Sequence, residues 1–238
     1  MSSAVATSAS SAEAEDTATI ATTEGTTSPA VATGLTNVSD IAATIVDSVV
    51  AVEVTGRFRG AEQVISSGSG VILDTAGNII TNAHVVAAGT GIIVVLADGT
   101  EHPATVVAID TGEDLALIRI DAQDLNPVVL GSTQDLRVGD PVIAVGNPLG
   151  LVGGPSVSTG IVSALDRSLE DASVRLTGII QTDAAITVGS SGGALLDSQG
   201  RLIGITTAVG VSSVGVEGIG FAIPVEAIVE VTAQLLAA

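Results

Sequence analysis

The 238-residue chain predicts an all-β fold, and three observations carry that expectation. Its apolar residues, 46% of the total, are small and often β-branched: Val, Ile, Leu and Ala, with only Phe58 and Phe221 as aromatics. Such side chains fit a pleated, half-buried surface. Its 28 glycines, together with Asp, Asn and Ser, break the apolar runs into short pieces. Turn signals recurring roughly every 8 to 12 residues belong to a sandwich or a barrel. Long solvent-facing helices would need more Glu, Lys, Gln and Arg than the chain contains.

Residues 1–36 are rich in Ala, Ser, Thr and Glu and show no periodicity, so they read as a disordered low-complexity tail or linker. Ser39 then reads as a helix N-cap, with Ile41, Ile45, Val46 and Val49 at helical spacing behind it. Strands begin at Val49. Val71–Leu73 and Ile79–Thr81 flank the turn sequence Asp74-Thr75-Ala76-Gly77-Asn78, a hairpin signal. Ile92–Leu96 leads into Ala97-Asp98-Gly99, a second turn. Leu115–Ile120, Pro141–Val145, Val157–Leu165, Leu176–Thr182, Ala194–Leu196, Leu202–Thr207 and Ile219–Ile223 complete the predicted strands. Polar residues 121–126 separate two strand groups and set a boundary near residue 125. After Pro224, the residues Val225, Ile228, Val229, Leu235 and Leu236 predict an amphipathic closing helix.

Twenty-six acids against seven arginines and no lysine give a net charge of −19. Phosphate backbones and anionic bilayers require clustered positive charge, so nucleic acid and membrane surfaces are excluded as expected partners. Cysteine is absent, which removes disulfides and leaves the redox compartment undecided. No apolar run reaches the roughly 18 residues that span a bilayer. The start Met1-Ser2-Ser3-Ala4 lacks a signal peptide's basic and apolar regions. Two expectations follow: a cytoplasmic protein, or one held at a membrane only through an anchor absent from this chain.

Three residues stand out for chemistry. Gly189-Ser190-Ser191-Gly192-Gly193 is a glycine-rich turn in which successive N–H groups can converge on one oxyanion. A flexible Gly/Ser loop has the same composition, and a phosphate loop would need a following Lys. His84 lies in Thr81-Asn82-Ala83-His84-Val85-Val86, where a satisfied structural imidazole is the plainer reading; His102, beside Pro103, reads as surface. Asp114 precedes Leu115-Ala116-Leu117-Ile118, and a carboxylate at the mouth of a buried strand needs hydrogen-bond donors. An imidazole N–H would serve, and would fix the tautomer that leaves the other ring nitrogen as a base. His, then Asp, then Ser in a Gly-rich turn is one of the known triad orders.

Further segments carry a family resemblance: Gly68-Ser69-Gly70-Val71-Ile72, Thr81–Val86, Asp114-Leu115-Ala116, Gly146-Asn147-Pro148-Leu149-Gly150, Thr159–Ala164, Gln181–Ile186 and Gly218–Pro224. In this order they resemble the HtrA/Deg serine proteases, over residues 38–238. The resemblance implies a trypsin-like double β-barrel with short N-terminal and C-terminal helices. Residues 37–125 would hold the first helix and barrel, and 126–238 the second barrel and closing helix. It implies His84 as general base, Asp114 as its orienter and Ser191 as nucleophile, with the amides of Gly189 and Ser191 as the oxyanion hole. Ile186 matches a specificity-pocket wall, Thr206, Thr207 and Ala208 a strand that pairs with substrate backbone, and Arg167 a regulatory loop. No cofactor and no metal are implied. Substrates would be unfolded or misfolded polypeptides cut after small aliphatic residues, in quality control or stress response. The assembly would be a homotrimer and the location extracytoplasmic, periplasmic or cell-envelope.

Where the family pattern reads Asn-Pro-Gly-Asn-Ser-Gly-Gly, this chain reads Thr187-Val188-Gly189-Ser190-Ser191-Gly192-Gly193. Spacing to the paired glycines favours Ser191 over Ser190 as nucleophile. A rival reading from another class is a catalytically inactive peptide-binding chaperone or sensor using the same cleft. A third, a purely structural β-domain, predicts that His84, Asp114 and Ser191 lie far apart.

Overall fold

The computed structural model describes residues 37–58, 61–87, 89–148, 154–170, 175–207 and 218–236. The chain divides into residues 1–32, which lie outside this set, and residues 33–238, to which everything below refers. The tail expectation for residues 1–36 therefore falls outside the described residues.

Helix α1 (Val38–Ile45) and a 3-10 turn (Val46–Ser48) lead into the first barrel. Its strands are β1 (Val49–Phe58), β2 (Ala61–Ile72), β3 (Asn78–Asn82), β4 (Gly91–Val95), β5 (Glu101–Asp110) and β6 (Leu115–Ile120). They close in the order β1-β2-β3-β6-β5-β4, all antiparallel. A one-turn helix, α2 (Ala83–Val86), follows β3. The second barrel contains β7 (Pro141–Gly146), β8 (Ser156–Glu170), β9 (Arg175–Thr182), β10 (Ala194–Leu196), β11 (Leu202–Thr207) and β12 (Gly220–Pro224). It closes in the order β10-β11-β12-β9-β8-β7, and helix α3 (Val225–Leu236) ends the described chain. Two closed barrels with short flanking helices are the architecture expected, and the sandwich alternative is excluded.

The continuous apolar runs of the sequence have a direct cause. Along β7, Val142 and Ala144 point into the second barrel, while Ile143 and Val145 join a core shared by both barrels. On β10, Leu195 faces inward and Ala194 and Leu196 face the shared core. From the first barrel, Val71, Ile80 and Leu115 enter that shared layer, while Ile72, Ile79 and Ile118 fill the first interior. Both faces of these strands are buried, so the usual apolar/polar alternation disappears. Each such Val, Leu or Ile contributes about 1.5–3 kcal/mol by leaving water.

Residues 121–140 connect the barrels. The Val128 N–H donates to Ile72 on β2, and Leu202 on β11 donates to Val129 and accepts from Gly131. The connection is thus bonded to both barrels, longer than the polar stretch 121–126 that marked it in the sequence.

Several local expectations need correction. The N-cap is Asn37, not Ser39; the helix starts two residues early, and the Ser39 hydroxyl donates to Asn37 Oδ1 instead. Strand β5 goes unpredicted because Pro103 and its half-exposed residues weaken the apolar signal. His102 lies on β5 opposite Val94 and is half-buried rather than surface. In α3 the buried stripe is Val225, Ile228 and Val231, whereas Val229 is exposed. The spacing 225, 228, 231 follows the helical turn, and Val229, one residue on from Ile228, turns out of that stripe. Among the described residues no helix is long and apolar enough to cross a membrane.

Candidate active site

Antiparallel register closes the thirty-residue gap between His84 and Asp114. Asn82, the last residue of β3, pairs with Leu115, the first of β6. The residues just beyond those ends therefore meet. Asp114 accepts His84 Nδ1–H with Oδ2 at 2.8 Å and Oδ1 at 3.0 Å, and its Oδ1 also accepts the His84 backbone N–H at 3.0 Å. Its own carbonyl accepts the Ala83 N–H and the Asn82 side-chain amide, each at 3.0 Å. Asp114 adopts φ +52°, in the left-handed region that asparagine and aspartate tolerate best among residues other than glycine. That conformation turns both carbonyl and carboxylate toward residues 82–84. The Asp114 side chain is 4% exposed and that of His84 40%, so the pair has a buried acceptor and an accessible ring.

With Nδ1 engaged as a donor, Nε2 is the ring nitrogen available as a base. The arrangement holds one tautomer, and the His84 backbone N–H fixes the carboxylate that holds it.

The serine turn meets this pair across the first barrel's β2. The Ser69 N–H donates to the Ser191 carbonyl at 2.8 Å. A β-carbon placed on Gly68 would lie 2.8 Å from Val85, next to His84, and 3.0 Å from the Ser191 carbonyl. One glycine is thus flanked by the histidine-bearing helix and the serine turn. Ser191 is 5% exposed. The structural-domain reading, which separates these segments, does not fit.

The turn itself is defined. The Ser190 N–H donates to the Thr187 carbonyl at 2.9 Å, and Gly189, the third residue, has φ +91° while Val188 keeps a negative φ. That combination is a type II turn, which requires positive φ at its third position. A type I turn would rotate the Val188–Gly189 amide by about 180°. The Gly192 N–H then donates to Thr206, the Gly193 N–H to Ser190, and the Thr206 N–H to Gly193. Gly192 has φ +88°, and a β-carbon there would stand 2.1 Å from the Ser69 carbonyl oxygen, so no other residue fits.

Beside this turn lies a pocket of about 220 Å³, walled by Ala144, Gly146, Val157, Ala185, Ile186 and Thr206 among others. Ile186 packs toward Gly220, where any side chain would collide with it. Thr206 requires a correction: its N–H and C=O both bond to the Gly192–Gly193 turn, and its hydroxyl donates to the Ser190 carbonyl at 2.7 Å. Its N–H is spent on the turn, so it does not serve as a substrate-pairing strand residue; it belongs to the pocket wall. Thr207, buried, ends β11 opposite Phe221, and Ala208 lies outside the described residues. Arg167 donates through Nε to Gln181 Oε1 at 3.0 Å, tying β8 to the segment that runs on to the turn.

Sequence reasoning gave no role of their own to Ser69, Thr81 and Asn82, all fully buried on β2 and β3. The signal was available: small polar residues inside apolar strands require buried hydrogen-bond partners.

Comparison with known proteins agrees with this geometry. Residues 68–205 match the family described as trypsin-like peptidase domain. The chain is 45% identical over 177 residues to the periplasmic serine endoprotease DegP of Salmonella typhimurium, covering 74% of this chain and 37% of that protein. It is 42% identical over 222 residues to the serine protease PepD of Mycobacterium tuberculosis, covering 84% and 46%. The chain thus spans less than half the length of these curated relatives. The solved structure of the HtrA-type protease AlgW with a decapeptide superposes with a TM-score of 0.72 at 36% identity, covering 83% of this chain and 66% of that one. The chain belongs to the trypsin-like peptidase family, among the HtrA/Deg serine proteases.

Proposed function

We propose that this chain is a serine endopeptidase in which Ser191 attacks the scissile carbonyl and His84 Nε2 removes its proton. Asp114 holds the neutral ring in the required tautomer and stabilises the imidazolium that forms. The Gly189 and Ser191 amides bind the developing oxyanion, an effect worth roughly 3–4 kcal/mol per donor in measured cases. His84 then protonates the leaving amine, and water repeats the sequence on the acyl-enzyme. The carrying observation is the Asp114 carboxylate spanning both Nδ1 and the backbone N–H of His84.

The substrate reading is an unfolded or misfolded polypeptide cut after a small aliphatic residue. A pocket of about 220 Å³ walled by Val157, Ala185 and Ile186 supports it. That volume is below the roughly 300–1,000 Å³ of small-molecule sites and suits one side chain. Thr207 and Ala208 would extend β11 along the substrate backbone. Arg167, through Gln181, would pass the state of the β8–β9 hairpin to the turn. An extracytoplasmic location draws support from relatives named periplasmic; a homotrimer and a quality-control role complete the reading.

The test compares wild type and Ser191→Ala on casein and toward a fluorophosphonate. Wild type labels covalently and degrades casein; the variant loses labelling and about 10⁶ in turnover. Mass-spectrometric mapping of the products gives Val, Ala or Ile before the cut. A wild type that neither labels nor cleaves would leave the peptide-binding reading in its place.

A further inference from the structure

We infer that Ser69 is a positioning residue for the oxyanion-binding turn, tying the carbonyls of Gly189 and Ser191 to the first barrel; this rests on the proposed role of Ser191. Ser69 is fully buried on β2 and belongs to the opposite barrel from the turn. Its hydroxyl donates to the Gly189 carbonyl at 2.8 Å and accepts the Asn147 N–H at 2.8 Å. Its backbone N–H donates to the Ser191 carbonyl at 2.8 Å. Its own carbonyl accepts the Thr81 hydroxyl at 2.7 Å, three residues before His84 on the strand that leads into α2.

One residue thereby holds the carbonyls of Gly189 and Ser191, the two residues whose N–H groups would bind the oxyanion. The Gly189 carbonyl belongs to the amide that follows Gly189, and its direction is coupled to the Gly189 backbone angles. The type I and type II forms differ in the preceding Val188–Gly189 amide; holding the Gly189 carbonyl toward Ser69 instead fixes where the turn, and with it the Gly189 N–H, stands against the first barrel. The Thr81 bond ties the same point to the histidine side of the site. In this chain the turn lacks a proline at position 188, which would restrict the backbone there. The rigidity comes instead from a hydroxyl across the barrel interface.

Two probes separate this role from a contribution to folding. A peptide aldehyde adds Ser191 Oγ to its carbonyl carbon, passes the hydroxyl proton to His84, and leaves an oxygen for the two amides to bind. The corresponding peptide alcohol occupies the same pocket with no such oxygen. Ser69→Ala removes only the hydroxyl. The expected result is a kcat lower by about 10- to 100-fold, somewhat less than direct removal of a donor, with little change in KM. Aldehyde affinity falls by a similar factor and alcohol affinity stays within about twofold of wild type, a split expected of lost transition-state stabilisation. Should Ser69→Ala fail to fold, Ser69→Cys, a weaker donor, gives the same comparison. Equal losses for both probes, or loss for neither, overturn the inference. A wild type that binds the alcohol but forms no aldehyde adduct overturns the proposed function first, and the inference with it.

Discussion

Asp114→Asn separates hydrogen bonding from charge at the base. Oδ1 accepts two donors, the His84 backbone N–H and Nδ1–H, both at 3.0 Å; Oδ2 accepts Nδ1–H at 2.8 Å. Asparagine offers one oxygen and one NH₂ group. If NH₂ takes the Oδ1 position, it faces the backbone N–H, donor against donor. The backbone amide therefore selects the other orientation, with oxygen at the Oδ1 site and NH₂ at the Oδ2 site. That places a donor 2.8 Å from Nδ1 and requires Nδ1 to accept. The ring then carries its proton on Nε2, the nitrogen that should act as base. The wrong-tautomer penalty measured for the equivalent change in a serine protease is about 10⁴ in kcat, or about 5 kcal/mol at about 1.4 per tenfold. The assay is peptide hydrolysis with active-site titration, alongside thermal unfolding to show that the fold persists. A variant within about tenfold of wild type would refute the tautomer argument.

Two further outcomes are expected. Val188→Pro places proline at the second position of the type II turn, where its fixed φ is compatible; Val188 is 78% exposed, so no packing is lost. The gain of about 0.4–1 kcal/mol through the unfolded chain raises Tm by about 1–4 °C without lowering kcat, and a lower Tm in calorimetry would count against the turn assignment. Glu226, in the first turn of α3, accepts the Thr133 N–H and the hydroxyls of Thr133 and Ser132. Burial raises its pKa, but these bonds outweigh it and leave the carboxyl below its ordinary value. A depressed folded value means the stabilisation is present above the ordinary glutamate range and lost as pH falls through the folded value. Glu226→Gln should lower the unfolding free energy at pH 7 by under about 1 kcal/mol given its exposure, and Tm with it, with a gap that closes in acid. A gap that stays constant as pH falls far below the ordinary glutamate range would remove the carboxylate from the explanation.

What the sequence made legible follows burial. Strands β10 and β11 and helix α3 match their predicted spans, because they are apolar runs or regular stripes bounded by Asp197-Ser198-Gln199-Gly200 and Pro224. The outer half of β2, the end of β8 and all of β5 were hidden, since a half-exposed strand in a barrel carries mixed polarity. Residue types and chain order pointed to His84, Asp114 and Ser191. Register did the rest: Asn82 opposite Leu115 is a pairing between segments thirty residues apart, and no local pattern encodes it. The backbone duties of Thr206 were equally hidden, because a hydrogen bond between main chains leaves no mark on side-chain identity.

The left-handed backbone at Asp114 shows why one residue type is asked for twice. Residues 111–114 form a turn held by Asp110, whose Oδ1 accepts the N–H groups of Gly112 and Glu113 at 2.8 and 3.0 Å. That turn delivers the chain into β6, whose first four residues are fully buried, so the strand cannot shift to relieve the angle. A residue with φ +52° there costs free energy unless its short polar side chain finds local donors. Aspartate finds two on His84, and the same backbone twist sends its carbonyl to Ala83 and Asn82. Conformation and chemistry therefore select together: asparagine tolerates the angle but donates to the ring, while glutamate carries the charge on a longer stem at a position that disfavours it. The strain is held by the buried start of β6, and it aims a carboxylate at the Nδ1 edge of an imidazole.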